Sequence, residues 1–327
     1  MTIQRRPLIA CGVALLAARG AAFGQIASKV WRIGFLSNAS APDGGVPAQF
    51  REALHALGYV EGKNIIYEGR WAGAQIERHP TLAAELLALK VDLLVAQGAP
   101  AAAAARRATS TLPIIAVFAG DVVETGLVDS LARPAGNVTG INDPAAALSG
   151  KRLDLLKEVV PMAKQVAVLW NAGDNAMTLR YRAIERAAQV LRVRIQALGV
   201  REPDDFNDAL AAMNRERPDA LMMVSDALTN LNRQTVIDFA AKNRIPAMYE
   251  YSPSVMAGGL MSYGVGNDEA FSLAAVYVAK ILKGAKPADL PVEQLNRYFF
   301  FINLKTAKAL GLTIPQSVLL RADEVIQ

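Results

Sequence analysis

The sequence predicts an α/β protein with two Rossmann-like lobes, whose parallel sheets are joined by three hinge strands. Short β-branched runs alternate regularly with Ala- and Leu-rich segments of helical period, which is typical of parallel sheets covered by helices. The alternation restarts near residue 151, so two separate series are present. The length of 327 residues, 52% of them hydrophobic, is sufficient for two cored domains.

The first two dozen residues have the layout of a secretory signal. Arg5 and Arg6 precede an apolar stretch, Leu8 to Ala18, which is shorter than the roughly 20 residues of a membrane-spanning helix. A string of small residues then offers a cleavage site just before Gln25. We therefore expect residues 1–24 to be a signal peptide and the mature protein to be periplasmic, exported by the general secretory or the twin-arginine route.

Removal of this segment changes the charge and the cysteine content of the chain. The segment holds three arginines and no acidic residue, so the formal charge falls from +5 to +2. With no basic stripe in the remainder, we do not expect nucleic-acid binding. The segment also holds Cys11, the one cysteine, so the mature chain has no thiol for a disulfide, a zinc–cysteine site or a nucleophile.

The first series contains five predicted strands and four predicted helices in alternation. The strands are expected at Val30–Leu36, Asn64–Glu68, Val91–Ala96, Pro113–Phe118 and Asn137–Ile141. Helices are expected at Phe50–Leu57, Glu77–Leu89 and Val122–Ala132. A further helix is expected to follow the segment Gln97-Gly98-Ala99-Pro100 and to run through Arg107. Because parallel neighbours need a crossover connection, these helices cover the faces of one sheet.

The second series repeats this order. Its strands are expected at Gln165–Trp170, Val193–Leu198, Asp219–Val224 and Ile245–Tyr249. Its helices are expected at Lys151–Val159, Thr178–Leu191, Asp204–Arg215 (with an Asp cap) and Thr229–Asn243.

The last segment is less regular and predicts a return to the first lobe. It contains a strand at Gly258–Gly264, a helix at Asp268–Leu282, a connector at Lys283–Pro291, an aromatic strand at Tyr298–Ile302 and a helix at Asn303–Leu310. We therefore divide the chain into an N-terminal lobe, 30–142 plus 255–288, and a C-terminal lobe, 143–254 plus 289–327. The crossings are expected near Ile141–Asp143, Tyr249–Ser254 and Lys286–Val292.

The motifs of the usual chemistry on such a fold are missing from the sequence. The first strand runs into Ser37–Pro42, which lacks the glycine pattern of a dinucleotide site, and there is no phosphate-binding Gly-Lys-Ser/Thr loop. The two histidines, His55 and His79, lie on predicted helices, away from the strand ends where clefts form. We therefore expect no catalytic residue, no cofactor and no metal site.

A ligand is instead expected at the carboxyl ends of the strands, where helix N-termini present unpaired N–H groups. This rule nominates Ser37, Asn38, Gln97, Gly98, Ala99, Gly120 and Asp121 in the first lobe, and Trp170, Asn171, Ser225, Asp226 and Tyr249 in the second. The segment Gln97–Ala99 is expected to hold a carboxylate, because glycine permits close backbone approach. Asp121 is expected to accept a hydrogen bond from a ligand amine or hydroxyl group.

Several of these residues have a structural alternative. Ser37, Asn38, Asp121 and Asp226 are also suited to helix caps, a role compatible with lining a cleft. Trp170 is either a stacking platform for a flat ligand or a core residue at the end of a buried strand.

Six strings of the sequence carry a family resemblance. They are Leu57–Asn64, Leu131–Gly140, Gly150–Leu153, Gly258–Gly264, Ile281–Glu293 and Ile302–Leu312. They resemble signatures of a bacterial ABC-transporter substrate-binding family that includes tryptophan- and phenylalanine-binding members, and the resemblance runs from Trp31 to the end. It implies a periplasmic-binding-protein type I fold, with two lobes joined by three hinge strands, and delivery of the ligand to an ABC permease of the inner membrane. The resemblance does not fix the ligand. From the residues we expect a monomer that binds an amino acid or a small aromatic or organic acid.

Two departures from the family pattern leave the ligand open. Aromatic-amino-acid binders carry Asp-Asn where this chain has Asp226-Ala227, and a proline often follows the aspartate where this chain has Asp121-Val122. A ligand-sensing receptor domain of the same fold is an alternative, although a repressor would carry a helix-turn-helix where this chain has its export signal. An enzyme on a two-lobed scaffold is a third reading, which the missing motifs disfavour.

Overall fold

The computed structural model describes residues 29–43 and 45–327. The predicted signal peptide, residues 1–24, and its cleavage site at Gln25 lie outside the described residues. The described chain forms two sheets, one of six strands and one of seven. No helix in these ranges combines the length and the hydropathy needed to cross a membrane.

The first sheet is entirely parallel. Its strands are β1 (Trp31–Ser37), β2 (Ile65–Trp71), β3 (Leu93–Gln97), β4 (Ile114–Val117), β5 (Val138–Asn142) and, much later in the chain, β11 (Glu293–Gln294). Their spatial order is β11-β5-β4-β3-β1-β2. The helices are α1 (Ala48–Ala56), α2 (His79–Ala88), α3 (Ala99–Ala108) and α10 (Asn267–Leu282). One apolar cluster joins the sheet to α1 and α10, and another joins it to α2 and α3.

The second sheet is parallel except for one strand pair. Its strands are β6 (Gln165–Asn171), β7 (Arg194–Val200), β8 (Ala220–Met223), β9 (Ala247–Tyr249), β10 (Met261–Val265), β12 (Tyr298–Asn303) and β13 (Glu324–Ile326). Their order is β13-β12-β10-β9-β8-β6-β7, and β10 and β12 are antiparallel. The helices are α4 (Ser149–Val159), α5 (Asn175–Leu191), α6 (Asp205–Arg215), α7 (Ala227–Leu231), α8 (Arg233–Lys242), α9 (Ser252–Met256), α11 (Leu304–Ala309) and α12 (Gln316–Leu319).

Strand β6 illustrates why the apolar runs are strands covered on both faces. All of its residues are buried. Val166 and Val168 belong to one apolar cluster, whereas Ala167 and Leu169 belong to the cluster on the other face. Alternate side chains of a strand point to opposite faces, so a run without polar residues requires helices on both sides.

The chain passes between the sheets three times, but two of the passages differ from the prediction. The first follows β5 at Asp143, as expected. The second was expected near Tyr249–Ser254, yet β10 pairs with β9 and β12 in the second sheet, so the chain leaves the second lobe at Gly266. The third was expected near Lys286–Val292, yet β11 pairs with β5 in the first sheet, so the passage follows Gln294.

Glycine placement explains why the second passage differs from the prediction. The break at Gly258–Gly259 suggested an interlobe hinge, but both residues lie within the second lobe. A Cβ atom on Gly259 would lie 2.6 Å from the ring of Tyr249 and 2.7 Å from the carbonyl oxygen of Ser254. The glycine therefore permits α9 to return the chain directly alongside β9.

Two predicted helices are also corrected. The segment Val122–Ala132 forms turns, in which the N–H groups of Leu127 and Val128 both reach the carbonyl oxygen of Val122 and Gly126 has φ +72°. The predicted helix Thr229–Asn243 is divided at Asn232 into α7 and α8.

The predicted aspartate cap of α6 is not formed as expected. The side chain of Asp204 accepts no capping hydrogen bond. Asp205 instead accepts the backbone N–H of Arg201 at 2.7 Å. The helix is therefore tied to the preceding loop by its own first residue.

Candidate ligand-binding cleft

The carboxyl ends of both sheets face one cavity of about 270 Å³ between the lobes. The first lobe contributes Asn38, Ala39, Ser40, Gln97, Gly98, Ala99, Phe118 and Phe271. The second contributes Asp174, Met177, Arg180, Ser225, Asp226, Ala227, Asn230, Leu231 and Tyr251. Cavities that bind small molecules commonly measure about 300–1,000 Å³, so this one suits a small ligand.

The first-lobe wall is built around the start of α3. Gly98 has φ +95°, and its N–H donates to the carbonyl oxygen of Val117 at 2.9 Å. A Cβ atom there would lie 3.1 Å from that of Asn38, so the glycine also permits close packing. The Ser37 hydroxyl donates to Oε1 of Gln97 at 3.0 Å, which fixes the side chain that precedes the turn. Pro100 has no N–H, so the N–H of Ala99 is the group of the first turn of α3 that lacks an intrahelical acceptor and belongs to a residue lining the cavity.

Three aromatic residues form the apolar wall. Phe118 follows β4, and its ring centroid lies 5.5 Å from that of Phe271 and 6.5 Å from that of Tyr251. Phe118 has φ +52°, a left-handed conformation that costs a non-glycine residue about 1–3 kcal/mol. Such strain occurs at functional sites, where the surrounding packing holds a side chain in place.

The opposite corner of the cavity is acidic. Asp174 accepts the N–H of Ala176 at 2.8 Å and so caps α5, while Asp226 accepts the N–H of Thr229 at 3.0 Å and caps α7. Asn171 donates to Oδ2 of Asp226 at 2.7 Å. Burial, reinforced by the nearby Asp226 carboxylate, raises the pKa of Asp174 to about 6.

A buried ionic network lies next to the acidic corner formed by Asp174 and Asp226. Glu250 pairs with Nη1 of Arg152 at 2.9 Å and with Nη1 of Arg180 at 2.6 Å. Arg180 also pairs through Nη2 with Asp143 at 2.7 Å, and the Tyr251 hydroxyl donates to the same Asp143 oxygen at 2.8 Å. Burial alone would lower the pKa of Arg180, but the carboxylates of Glu250 and Asp143 hold that pKa well above its ordinary value.

Of the predicted site residues, the structure brings Asn38, Gln97, Gly98, Ala99, Ser225 and Asp226 together at the cavity. Ser37 and Asn171 lie just behind it and orient Gln97 and Asp226. Each of these eight residues lies at the carboxyl end of a strand or within three residues after it, which is the signal that nominated it.

Trp170 and Tyr249 are corrections, because both lie in the core of the second lobe. The Trp170 ring stacks on Tyr181 of α5 with centroids 3.7 Å apart, and it covers Gly199 of the neighbouring strand. Tyr249 is 1% exposed and packs beside Gly259. Both side chains lie on a face of the sheet rather than beyond its edge, so neither reaches the cavity.

Gly120 and Asp121 do not line the cavity either. A Cβ atom on Gly120 would lie 2.9 Å from that of Ala176, so this glycine lies where the two lobes touch. Oδ1 of Asp121 accepts the N–H groups of Val123 and Glu124, each at 3.0 Å, and therefore caps the loop. The predicted contact between Asp121 and a ligand is replaced by this local role.

Eleven cavity residues were not predicted: Ala39, Ser40, Phe118, Asp174, Met177, Arg180, Ala227, Asn230, Leu231, Tyr251 and Phe271. Phe118 ends a predicted strand, and Asp174 is a helix cap shortly after another, so the same rule applied one or a few residues further would include them. Arg180 and Phe271 lie within helices, where no strand-end rule reaches. Among the residues that the structure describes, no cluster of three or more histidine, cysteine or acidic residues is placed to hold a metal ion.

The chain is similar to a known protein family and to individual proteins of known ligand. A family model described as ABC transporter substrate binding protein matches residues 46–326. A tyrosine-binding protein of Clostridioides difficile (strain R20291) is 29% identical over 263 residues, which cover 80% of this chain and 75% of that protein.

Two solved structures, one with a bound ligand and one without, are similar to this chain. The ABC domain in complex with L-Trp from Streptococcus pneumonia is 26% identical, and the match covers 91% of this chain and 100% of that one, with a TM-score of 0.83. The ligand-free, open structure of a substrate binding protein with adhesive properties from Clostridium difficile is also 26% identical, over 91% of this chain and 99% of that one, with a TM-score of 0.64.

This structure therefore superposes better on the L-Trp complex than on the ligand-free, open structure. The contact between Gly120 and Ala176 agrees with a closed cleft. The two-lobed periplasmic-binding-protein type I fold predicted from the sequence is confirmed. With a family model that spans nearly all of the described residues, this chain belongs to the ABC transporter substrate binding protein family.

Proposed function

We propose that this protein is the extracytoplasmic solute-binding component of an ABC importer and that its ligand is an amino acid with an aromatic side chain. One observation carries the proposal: the cavity is lined by a helix N-terminus from the first lobe, by two carboxylates from the second lobe and by aromatic residues from both. An aromatic amino acid has groups that complement all three.

The ligand carboxylate is assigned to the first lobe. The N-terminus of α3 offers the N–H of Ala99 and the positive end of the helix dipole, both of which stabilise an anion. Gly98, whose missing side chain leaves the backbone accessible, adjoins this turn, and Asn38 and Gln97 flank it.

The ligand ammonium group is assigned to Asp174 and Asp226 in the second lobe. Asp174 is 3% exposed, so a charge-assisted hydrogen bond to it is little screened by solvent. The two ends of the amino acid are thus held by different lobes, which gives the ligand a means of favouring the closed form.

The aromatic side chain is assigned to the surface formed by Phe118, Phe271 and Tyr251. Both ring pairs are packed edge-on, an arrangement that a fourth aromatic ring can extend. The tyrosine-binding protein of Clostridioides difficile and the L-Trp complex from Streptococcus pneumonia, both relatives, support an aromatic amino acid.

Isothermal titration of the purified protein against single compounds tests this assignment. Tyrosine, phenylalanine or tryptophan should bind, and phenethylamine or phenylpropionate, which each lack one charged group, should bind at least about tenfold more weakly. The ligand should be recovered chemically unchanged, because we propose binding without turnover. Binding of sugars but of no amino acid would contradict the proposal.

Export, monomeric state and delivery to an inner-membrane permease complete the proposal. The N-terminal segment supports export, since its basic start and short apolar core fit a cleaved signal. Cell fractionation and mass spectrometry of the mature N-terminus should find a periplasmic protein that begins near Gln25. Retention of the uncleaved chain in the cytosol would contradict this location.

A further inference from the structure

A second cavity, of about 800 Å³, lies where the chain passes between the lobes. Gly266, at the second passage, and Arg297, just after the third, both line it. Helices α1 and α10 of the first lobe and α9, β10 and β12 of the second complete its lining, and we call it the hinge cavity. Its volume lies within the range of about 300–1,000 Å³ that is common for small-molecule sites.

Two phenylalanine rings in the hinge cavity are not explained by core packing. Phe299 and Phe301 line the cavity from one face of β12, because alternate residues of a strand share a face. Both are half-buried, and neither belongs to an apolar cluster of the described chain. Phe300 between them points to the other face and is 2% exposed in the core.

The neighbouring strand leaves these two rings uncovered. In the antiparallel pair of β10 and β12, Gly264 lies opposite Phe299 and Ser262 lies opposite Phe301. A Cβ atom on Gly264 would lie 2.1 Å from the carbonyl oxygen of Glu250, so a larger residue does not fit there. Because directly opposite residues share a face of the sheet, the two rings have only small cross-strand neighbours and remain available to a ligand.

The charges that line the hinge cavity favour a cation. Asp268 and Glu269, in the first turn of α10, both line it, and neither forms an ion pair within the described chain. Glu250 is already paired with two arginines, so Arg297 is the cation that remains against two carboxylates. The guanidinium of Arg297 lies 4.7 Å from the ring centroid of Phe299, so this ring already takes part in a cation–π contact.

We propose that the hinge cavity is a second binding site, that it takes a small organic cation with an apolar or aromatic body, and that its occupant favours the closed arrangement of the lobes. Aromatic rings attract a cation through their faces, and the two carboxylates supply the opposite charge. The site itself does not depend on the proposed function, whereas its coupling to amino-acid binding rests on it.

The coupling follows from residues that the two cavities share. Tyr251 and Phe271 line both the ligand cleft and the hinge cavity. A Cβ atom on Gly266 would lie 3.1 Å from the ring of Phe299, so this ring packs against a passage between the lobes. A molecule that contacts both lobes in this arrangement loses contacts when the lobes rotate apart. It therefore favours the same form as the ligand in the cleft, and each should strengthen the binding of the other.

Titration calorimetry with benzyltrimethylammonium tests the site. This probe has a phenyl ring and a permanent charge but no N–H group, so it cannot replace the hydrogen bonds of a ligand ammonium group at Asp174. It should bind to a single site on the unmodified protein in the absence of any amino acid. Benzyl alcohol, which is neutral, should bind at least about tenfold more weakly.

Variants of the lining locate the probe. Replacing Asp268 by Asn and Glu269 by Gln together should weaken its binding by about tenfold. Phe301→Leu keeps an apolar side chain but loses the ring, and should weaken it several-fold. Asp208→Asn is the matched control, because Asp208 is an exposed acidic residue in the first turn of another helix, α6, outside the cavity. It should bind the probe like the unmodified protein.

The effect on the lobes has two readouts. Benzyltrimethylammonium alone should contract the protein in small-angle scattering. The aromatic amino acid that the cleft binds should, at saturation, raise the affinity for the probe several-fold, and the probe should raise the affinity for that amino acid by the same factor.

The outcomes distinguish this proposal from the proposed function. Absence of probe binding, equal binding in the variant without the two carboxylates, or displacement of the probe by the amino acid refutes the hinge site while amino-acid binding stands. Probe binding without contraction and without an effect on the amino acid refutes the preference for the closed form. Contraction by the probe in a protein that binds no amino acid supports the hinge site and refutes the proposed function alone.

Discussion

Asp174 has a raised pKa because burial and the neighbouring Asp226 carboxylate both disfavour its ionised form, although the N–H of Ala176 and the charge of Arg180 act in the opposite direction. In the absence of ligand this carboxyl group is therefore partly protonated near pH 6. A ligand ammonium group beside it favours the ionised form and lowers the pKa again. Binding of an amino acid then releases a proton wherever Asp174 was protonated in the free protein.

Affinity for an amino acid should consequently fall as the pH falls through about 6. Between about pH 7.5 and about pH 5 the dissociation constant should rise by roughly tenfold, since the ligand ammonium stays protonated throughout. Titration calorimetry in a pH series measures this. Asp174→Asn keeps an oxygen to cap α5 but cannot titrate, so its affinity should be lower and nearly independent of pH. A full pH dependence retained in Asp174→Asn would contradict the assignment.

Trp170 was expected to cover a ligand, and its place in the core leads to a different prediction. Trp170→Ala removes the ring stacked on Tyr181 and should lower the free energy of unfolding by about 3 kcal/mol or more, as measured by chemical denaturation. The affinity of the folded fraction should remain within about twofold. Trp170→Phe keeps a stacking ring and should cost clearly less. An affinity lost by Trp170→Ala without loss of stability would restore the original interpretation.

At the residue scale, the sequence predicts the positions that follow directly from strand geometry. Gln97 and Asp226 come at or just after strand ends, so the rule for parallel sheets locates them without knowledge of the fold. Arg180 is mid-helix, and its approach to the cavity depends on the angle at which α5 packs on the sheet. That angle depends on many side chains together and has no local pattern.

At the scale of elements, the buried network joins four parts of the chain: the connection after β5, α4, α5 and the end of β9. Arg152 and Arg180 are each 2% exposed in their side chains, and Glu250 is 3% exposed. A buried ion pair adds little net stability compared with an apolar core. Loss of one partner, however, leaves an uncompensated buried charge.

Glu250→Gln should therefore lower the free energy of unfolding by about 3–5 kcal/mol, because it removes the charge that both arginines face. Glu158→Gln is the matched control, since Glu158 pairs with Arg321 at the surface, where their side chains are 39% and 38% exposed. An exposed pair contributes about 0–1 kcal/mol, so the control should be nearly neutral. Equal effects of the two substitutions in urea denaturation would contradict a structural role for the network.

Whether a helix or strand can be predicted from the sequence depends on its length. Long amphipathic or apolar segments such as α5 and β6 are predicted within a few residues, since their periodicity is strong. The strands β11 and β13 were not predicted, because two or three residues carry no measurable period. The segment Val122–Ala132 has apolar residues at helical spacing, but Gly126 and the cap at Asp121 turn it into a compact loop.

For the whole molecule, the ligand assignment and the passages between lobes together imply a mechanism of closure. The first and second lobes hold opposite ends of the proposed ligand, and the chain segments between them pass at Asp143, at Gly266 and after Gln294. Asp143 belongs both to a passage and to the network that fixes Arg180. Ligand contacts at the cavity are thus tied to a segment that joins the lobes, and we expect ligand to shift the population toward the closed form.

In the closed form α5 contacts the first lobe, and Ala176 is the residue of α5 that lies against Gly120. It is 3% exposed, and a Cβ atom on Gly120 of the first lobe would lie only 2.9 Å from its own Cβ. Ala176→Leu places a larger side chain in this contact without removing any cavity-lining group, so it should hinder closure. Small-angle scattering should show the unmodified protein contracting when ligand is added, whereas Ala176→Leu should contract less.

The affinity of Ala176→Leu should fall by about tenfold or more, because a ligand held by one lobe alone loses the contacts of the other. Ala84→Leu adds the same side chain at an exposed position of α2 and should match the unmodified protein in both measurements. The melting temperatures of Ala176→Leu and Ala84→Leu without ligand separate an effect on closure from a loss of stability, because Ala176 also belongs to the apolar cluster of the second lobe. If Ala176→Leu closes and binds normally, the contact between Gly120 and Ala176 tolerates a larger side chain and does not limit closure.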